Sequence, residues 1–146
     1  MAVKIYLDNC CFNRPFDDQR QTRIRIEAEA KLSIQGAVRG GTLELVWSYM
    51  LDFENAENPF EERQAAIDQW RQYAKTDVEQ SDNLLEQARA LVGAGLDAKD
   101  ALHVACAIAG GCSHFLTTDD KLLKRAQGVS GITVMDPAAF VREANL

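Results

Sequence analysis

Histidine is nearly missing from this chain: His103 and His114 are the only two in 146 residues. The four cysteines, Cys10, Cys11, Cys106 and Cys112, contain no CxxC pair. A tetrahedral zinc site needs His or Cys at set spacings, and the chain offers none. No Ser/His/Asp or Cys/His arrangement stands out either, which turns attention away from covalent catalysis. No apolar run approaches the roughly 20 residues of a membrane helix. The opening run meets Asp8 too soon for a signal peptide. A soluble, cytoplasmic protein is therefore expected, with its thiols reduced and some of them buried as small hydrophobes. Positive charge is also in deficit: 16 Lys and Arg face 22 Asp and Glu, a net charge of −6. That argues against a broad basic nucleic-acid face, though not against a small local one. Repeats, low-complexity segments and linkers are lacking as well. With 47% hydrophobic and 26% charged residues the composition is ordinary. One domain spanning residues 1–146 is expected, long enough to bury about 68–70% of its unfolded surface.

What is present centres on Leu96 to Arg125. Ala101 to Ala109 is apolar nearly all round, as in a buried helix. Gly110-Gly111 ends it, because glycine accepts the left-handed conformation of helix ends. His114 to Thr117 reads as a short buried strand, and Lys121 to Arg125 as a new helix. Asp100 then lies in the first turn of the buried helix, and Asp119 at the carboxyl end of a strand.

The rest alternates strand and helix. Residues 2–7 form a first strand, and Asp8 to Asp18 is rich in turn formers. Residues 19–39 form a long helix with Ile24, Ala28, Leu32 and Val38 near one stripe, widened by Ile34 and Ala37. Arg20, Arg23 and Arg25 cluster in its first turns, as a solvated face or a small phosphate-holding patch. Residues 42–47 form a strand, and Ser48 caps a helix to Ala56. A stripe of Ala66, Ile67, Trp70 and Tyr73 marks a helix from Phe60 to Tyr73. A short edge strand (75–78), a helix (82–92), a last strand (131–135) and a closing helix after Asp136-Pro137 complete the order. Trp47 and Phe60 are apolar residues that suit either the core or an interface. The alternation predicts an α/β fold, a three-layer α/β/α sandwich around a mostly parallel sheet.

In such sheets ligands bind at the carboxyl ends of the strands. Asp8, Asp100 and Asp119 are placed there, with Glu54 a fourth candidate. Asp52 and Glu54 are two apart and cannot share a helical face. Gathered carboxylates repel, and burying them uncompensated is costly. A hard divalent cation relieves the conflict, and oxygen ligands suit Mg²⁺ or Mn²⁺. His103, one turn beyond Asp100, reads as a packed core residue with a satisfied hydrogen bond.

Four motifs carry a resemblance: Ile5 to Asn9, Ser48 to Glu54, Asp100 to Ala105, and Leu116 to Asp119. In order and spacing, over nearly the whole chain, they resemble the PIN-domain family and its toxin branch, the VapC-like ribonucleases. The resemblance implies a Mg²⁺- or Mn²⁺-dependent endoribonuclease. Its four acids are carried onto Asp8, Glu54, Asp100 and Asp119 as catalytic and metal-holding residues. Thr117 falls on a supporting hydroxyl position, and Asn9 on a variable position beside the first acid. Arg14 and Lys121 are candidate substrate contacts. Asp120 is an outer ligand or, preferably, a helix N-terminal charge. An antitoxin protein and a homodimer are implied partners. Two other classes compete. A catalytically silent RNA-binding or interaction module would keep the fold, but all four acids are present. A Mg²⁺-dependent phosphoacceptor signalling domain would need a lysine at the end of a late strand, where this chain has Met135-Asp136-Pro137.

Overall fold

Continuous apolar runs make central parallel strands, because both faces of such a sheet are covered. The computed structural model describes residues 3–146. It contains β1 (Val3–Leu7), α1 (Asn9–Asn13), α2 (Thr22–Arg39), β2 (Leu43–Ser48), α3 (Tyr49–Ala56) and α4 (Glu61–Asp68). Then follow β3 (Ala74–Val78), α5 (Asp82–Gly93), α6 (Ala98–Ala109), β4 (His114–Leu116), α7 (Asp120–Arg125), β5 (Thr133–Met135) and α8 (Pro137–Ala144). Short 3-10 segments lie at Arg14–Phe16, Gln69–Tyr73 and Ala126–Gly128. Ala2, expected at the start of the first strand, lies outside the described residues. All five strands run parallel in the order β3-β2-β1-β4-β5. This is a three-layer α/β/α sandwich, in which α5 packs on α6 and α2 on α8.

The central strand decides where the site falls. From β1 the chain crosses to β2 on one side, while β4 pairs on the other, aligning Leu7 with Leu116. The neighbours of β1 thus diverge at its carboxyl end, which opens a crevice there. Beneath it the core is solid. Ile5, Tyr6, Leu45, Val46, Trp47 and Phe115 are fully buried, as are Ala101, Val104 and Ala105 of α6. Tyr6 stacks on Phe115 at a ring separation of 5.2 Å. The two glycines that end α6 do different work. Gly111 takes the left-handed turn, at φ 79°. Gly110 lets the helix end approach β2, since a Cβ there would stand 2.6 Å from Val46 Cγ1.

Several expectations need correcting. The stretch after Asp8 is not an open turn: Asp8 caps α1, and buried Cys11 and Phe12 anchor that helix to the core. The helix expected over 60–73 tightens to 3-10 geometry after Asp68. Trp47 belongs to the core, whereas Phe60 is exposed. On α2 the expected Ala28, Ile34 and Val38 are buried, but Leu32 is 54% exposed, and the buried face also carries Ala30 with Glu27, Lys31 and Gln35. Hydrophobic periodicity does not register these last three members because they are polar. Glu27 is held there by Arg14 at 2.9 Å and Arg23 at 3.3 Å. Lys31 lies over the rings of Phe12 and Trp70, at 5.2 and 5.5 Å. These cation–π contacts offset part of its desolvation.

Burial lowers the Lys31 pKa from 10.5 to about 7. Between those values the unfolded chain holds more protons than the folded one, so stability rises with pH across that window. Lys31→Met is expected to raise the melting temperature at pH 7 by roughly 2–6 °C and to remove the alkaline gain. Thermal melts of both proteins from pH 6 to 10 check this; parallel pH profiles would contradict it.

Candidate metal centre

Asp8 follows β1 directly, and its backbone N–H donates to the Leu116 carbonyl of β4 at 2.9 Å. That bond draws its carboxylate to the junction of the two strands, where it is 8% exposed. Oδ1 accepts from the Asn9 backbone N–H at 2.8 Å, and Oδ2 from the Thr117 hydroxyl at 2.8 Å. Thr117, fully buried, also accepts from the Asp119 backbone N–H at 3.1 Å. One hydroxyl therefore ties the first acid to the loop bearing the fourth. The Cys10 thiol completes this corner, 3.5 Å from both Asp8 Oδ2 and Thr117 Oγ1.

Asp119 caps α7, its Oδ1 accepting from the backbone N–H groups of Lys121 and Leu122. Its Oδ2 takes no part in the cap. Asp100 sits in the first turn of α6. Burial, then the charges of Asp8, Asp119 and Asp97, push its carboxyl from 3.8 up to about 6, with His103 opposing. The negative fields of three expected site acids thus meet at one place.

Glu54 comes from α3 and turns inward, while Asp52 turns away to accept from the Trp47 indole N–H at 2.9 Å. Glu54 is half-buried, which raises its pKa, yet the net shift is downward. The contact with His103 Nε2, the nearby Lys99 charge and the Asn9 side chain outweigh burial. One ligand atom each from Asp8, Glu54 and His103 lies within 4.8 Å of the others. Two of the three donors are carboxylates, which suits a divalent cation.

The remaining expected residues take other posts. Arg14 is held by Asp17 and Glu27, each at 2.9 Å. Lys121 is exposed, 3.7 Å from Asp97. Asp120 lies in the first turn of α7 and forms a two-pronged pair with Arg23, both bonds 2.7 Å, so its carboxylate is engaged away from the acids. Arg20 pairs with Asp18. Of the three arginines read as a basic patch, two are therefore neutralised by local carboxylates.

His103 is, as expected, a core residue with satisfied hydrogen bonds, and Ser48 is a helix cap; what the sequence reading lacks is their link through Tyr6. The structure makes them one buried line: Ser48 Oγ lies 2.7 Å from the Tyr6 hydroxyl, which lies 2.6 Å from His103 Nδ1, while Nε2 meets Glu54. A signal was available. Tyr6 and Asp8 are two apart on a strand and share a face, and His103 lies three beyond Asp100 on a helix.

A parallel α/β/α sandwich with carboxylates gathered where its central strands end defines an α/β protein with a candidate cation site. The chain belongs to the PIN domain family, whose sequence profile it matches over residues 5–128. Members of this family are in general metal-dependent nucleases. Among solved structures, the chain is similar in fold to PAE2754 from Pyrobaculum aerophilum. The TM-score is 0.58 at 20% identity, over 100% of this chain and 92% of that one. Among curated proteins none matches. Among the described residues no helix is long and apolar enough to cross a membrane.

Because the folded pKa of Asp100 is raised, its contribution to stability is fully present below pH 3.8 and is lost as pH rises through about 6. In chelator, Asp100→Asn is expected to raise the melting temperature at pH 7.5 by roughly 2–6 °C, the gain vanishing below about pH 4. Millimolar Mg²⁺ should then stabilise the unsubstituted chain more than the variant. Equal responses of the two proteins to Mg²⁺ would remove Asp100 from the centre.

Proposed function

We propose that this PIN-domain protein is a Mg²⁺- or Mn²⁺-dependent endoribonuclease that hydrolyses RNA phosphodiester bonds. Asp8, Glu54, Asp100 and Asp119 are its catalytic and metal-holding acids. The observation that carries the reading is the convergence of Asp8 and Glu54, with His103, to ligand atoms within 4.8 Å of one another, beside the Asp100 carboxyl that burial and then the charges of Asp8 and Asp119 push up to about 6. Carboxylates kept this close serve an ion better than they serve stability. When bound, the ion lowers the pKa of a water and offsets charge on the phosphate under attack.

The residues around it divide the remaining work. Thr117 holds Asp8 in place, and Asn9 supports both Asp8 and Glu54. Glu54 orients the attacking water, being half-buried and already bonded on one oxygen. Lys121 supplies positive charge to the RNA backbone from the first turn of α7. Arg14 acts less directly, through its ion pairs with Glu27 and Asp17 in the wall beside Asp8. No nucleophilic side chain is required.

Within this reading the substrate is single-stranded RNA. The protein works in the cytoplasm as a homodimer, the toxin of a pair whose antitoxin protein covers it. Support for the toxin half comes from the motif resemblance alone. In assays with added Mn²⁺ on single-stranded RNA, Asp8→Asn and Asp119→Asn should each reduce cleavage to background, with melting temperatures equal to or above that of the unsubstituted chain. Full activity in both variants would refute the assignment.

A further inference from the structure

We infer that His103 is a positioning residue: its Nε2–H clamps the Glu54 carboxylate, and Tyr6 and Ser48 fix its ring from behind. The inference rests on the nuclease reading for its consequence, and on buried geometry for its substance.

One assignment of protons, with the ring neutral, satisfies every link. Glu54 Oε1 is an acceptor, so the atom facing it, His103 Nε2, carries a proton. In the neutral ring Nδ1 is then an acceptor, and the Tyr6 hydroxyl, 2.6 Å away, donates to it. The Tyr6 oxygen is left to accept, and Ser48 Oγ at 2.7 Å donates. Ser48 Oγ itself accepts from the Leu51 backbone N–H at 3.3 Å, the cap of α3. The line therefore starts and ends on the same helix, since Glu54 also belongs to α3. Helix α3, strand β1 and helix α6 are stitched by one run of hydrogen bonds through the core.

Tyr6, Ser48 and His103 are each at most 1% exposed. Water does not compete for these bonds, and a buried polar group stranded by a broken link is costly. The Tyr6 ring is held edge-on to the imidazole, at 5.7 Å, and stacked on Phe115. Replacing its hydroxyl by hydrogen keeps that packing and removes only the link. A proton on Nε2 also assigns His103 a role: the nitrogen is spent on Glu54 and is not a ligand. The oxygen-only set of the four acids then remains the cation site, with Glu54 Oε2 as its free edge.

The test combines tautomer and kinetics. Two-bond ¹⁵N–¹H spectra of the labelled full-length chain are recorded with and without Mg²⁺. They are expected to show His103 Nε2 protonated in both states. In Tyr6→Phe the slowly exchanging Nε2 proton should be lost to exchange. kcat for single-stranded RNA should fall about 10- to 100-fold with KM within about twofold, the usual loss when an outer hydrogen bond to a ligand is removed. His103→Gln, whose amide can still donate to Glu54, should retain more activity than His103→Ala. A bare Nε2 on adding Mg²⁺ would make His103 a ligand and overturn the clamp. So would a Tyr6→Phe variant with unchanged kcat and an unchanged imidazole spectrum. A chain that binds no divalent ion and cleaves no RNA would sink the nuclease reading, while the ring spectra still decide the clamp.

Discussion

Negative charge at the end of a buried strand is the constraint on which this molecule depends. Asp8 cannot retreat, because its own backbone continues the pairing of β1 with β4. Its carboxylate is thereby fixed at the one point where the neighbours of β1 diverge. Everything around it reads as a response to that placement. Thr117 and the Asn9 backbone supply hydrogen bonds, and the first turns of α1 and α7 supply orphan N–H groups. Helix N-termini favour negative charge, so capping by Asp8 and Asp119 lessens their cost. Asp100, whose side chain makes no cap, is left with its burial and then with the charges of Asp8 and Asp119, and its pKa is raised.

Much of this was legible in the sequence. Apolar runs ending in Asp8 and just short of Asp119, with Asp100 opening an all-round apolar helix, gave the parallel sandwich and the edge on which its acids fall. The family resemblance chose Glu54 over Asp52, and the indole of Trp47 explains the choice physically by taking Asp52 for itself. The illegible parts share a cause. Both the buried face of α2 and the line behind Glu54 are made of polar side chains in the interior. Periodicity counts apolar residues, so it took in exposed Leu32 on α2, left out Glu27, Lys31 and Gln35, and gave no partner for His103. Partners made by tertiary contact, such as Arg14 for Glu27 or Tyr6 for His103, leave no mark at short range along the chain.

The acidic balance of the chain looks adverse for a protein that handles a polyanion. Locally, however, positive charge is drawn into a ladder: Asp120, Arg23, Glu27, Arg14, Asp17 and Arg63 pair in succession. Exposed members of such a ladder contribute little each. The buried carboxylate of Glu27 is different, for it has two guanidinium partners and holds α2 against the segment following α1. The ladder therefore stiffens the wall beside Asp8 rather than offering a free basic surface. Lys121 stands outside this ladder: among the described residues its ion-pair partner is Asp97, at 3.7 Å, which Arg125 already holds at 2.9 Å.

Seen this way, rigidity is what the surrounding residues add to the acids. A cation site of mutually repelling carboxylates relaxes by rotating side chains outward, and each such rotation loosens the geometry on which catalysis depends. Asp8 is denied that motion by Thr117, and Asp119 by its cap. Glu54, on a short helix and only half-buried, has no backbone partner to restrain it. The bond to His103 fills that gap, and it holds because the imidazole is itself immobilised by Tyr6 and, through Tyr6, by the cap of the helix that carries Glu54. Each acid on this edge whose hydrogen bonds are defined is thus restrained by a group lying in the core or in the backbone, so tension within the cluster is sustained instead of dissipated.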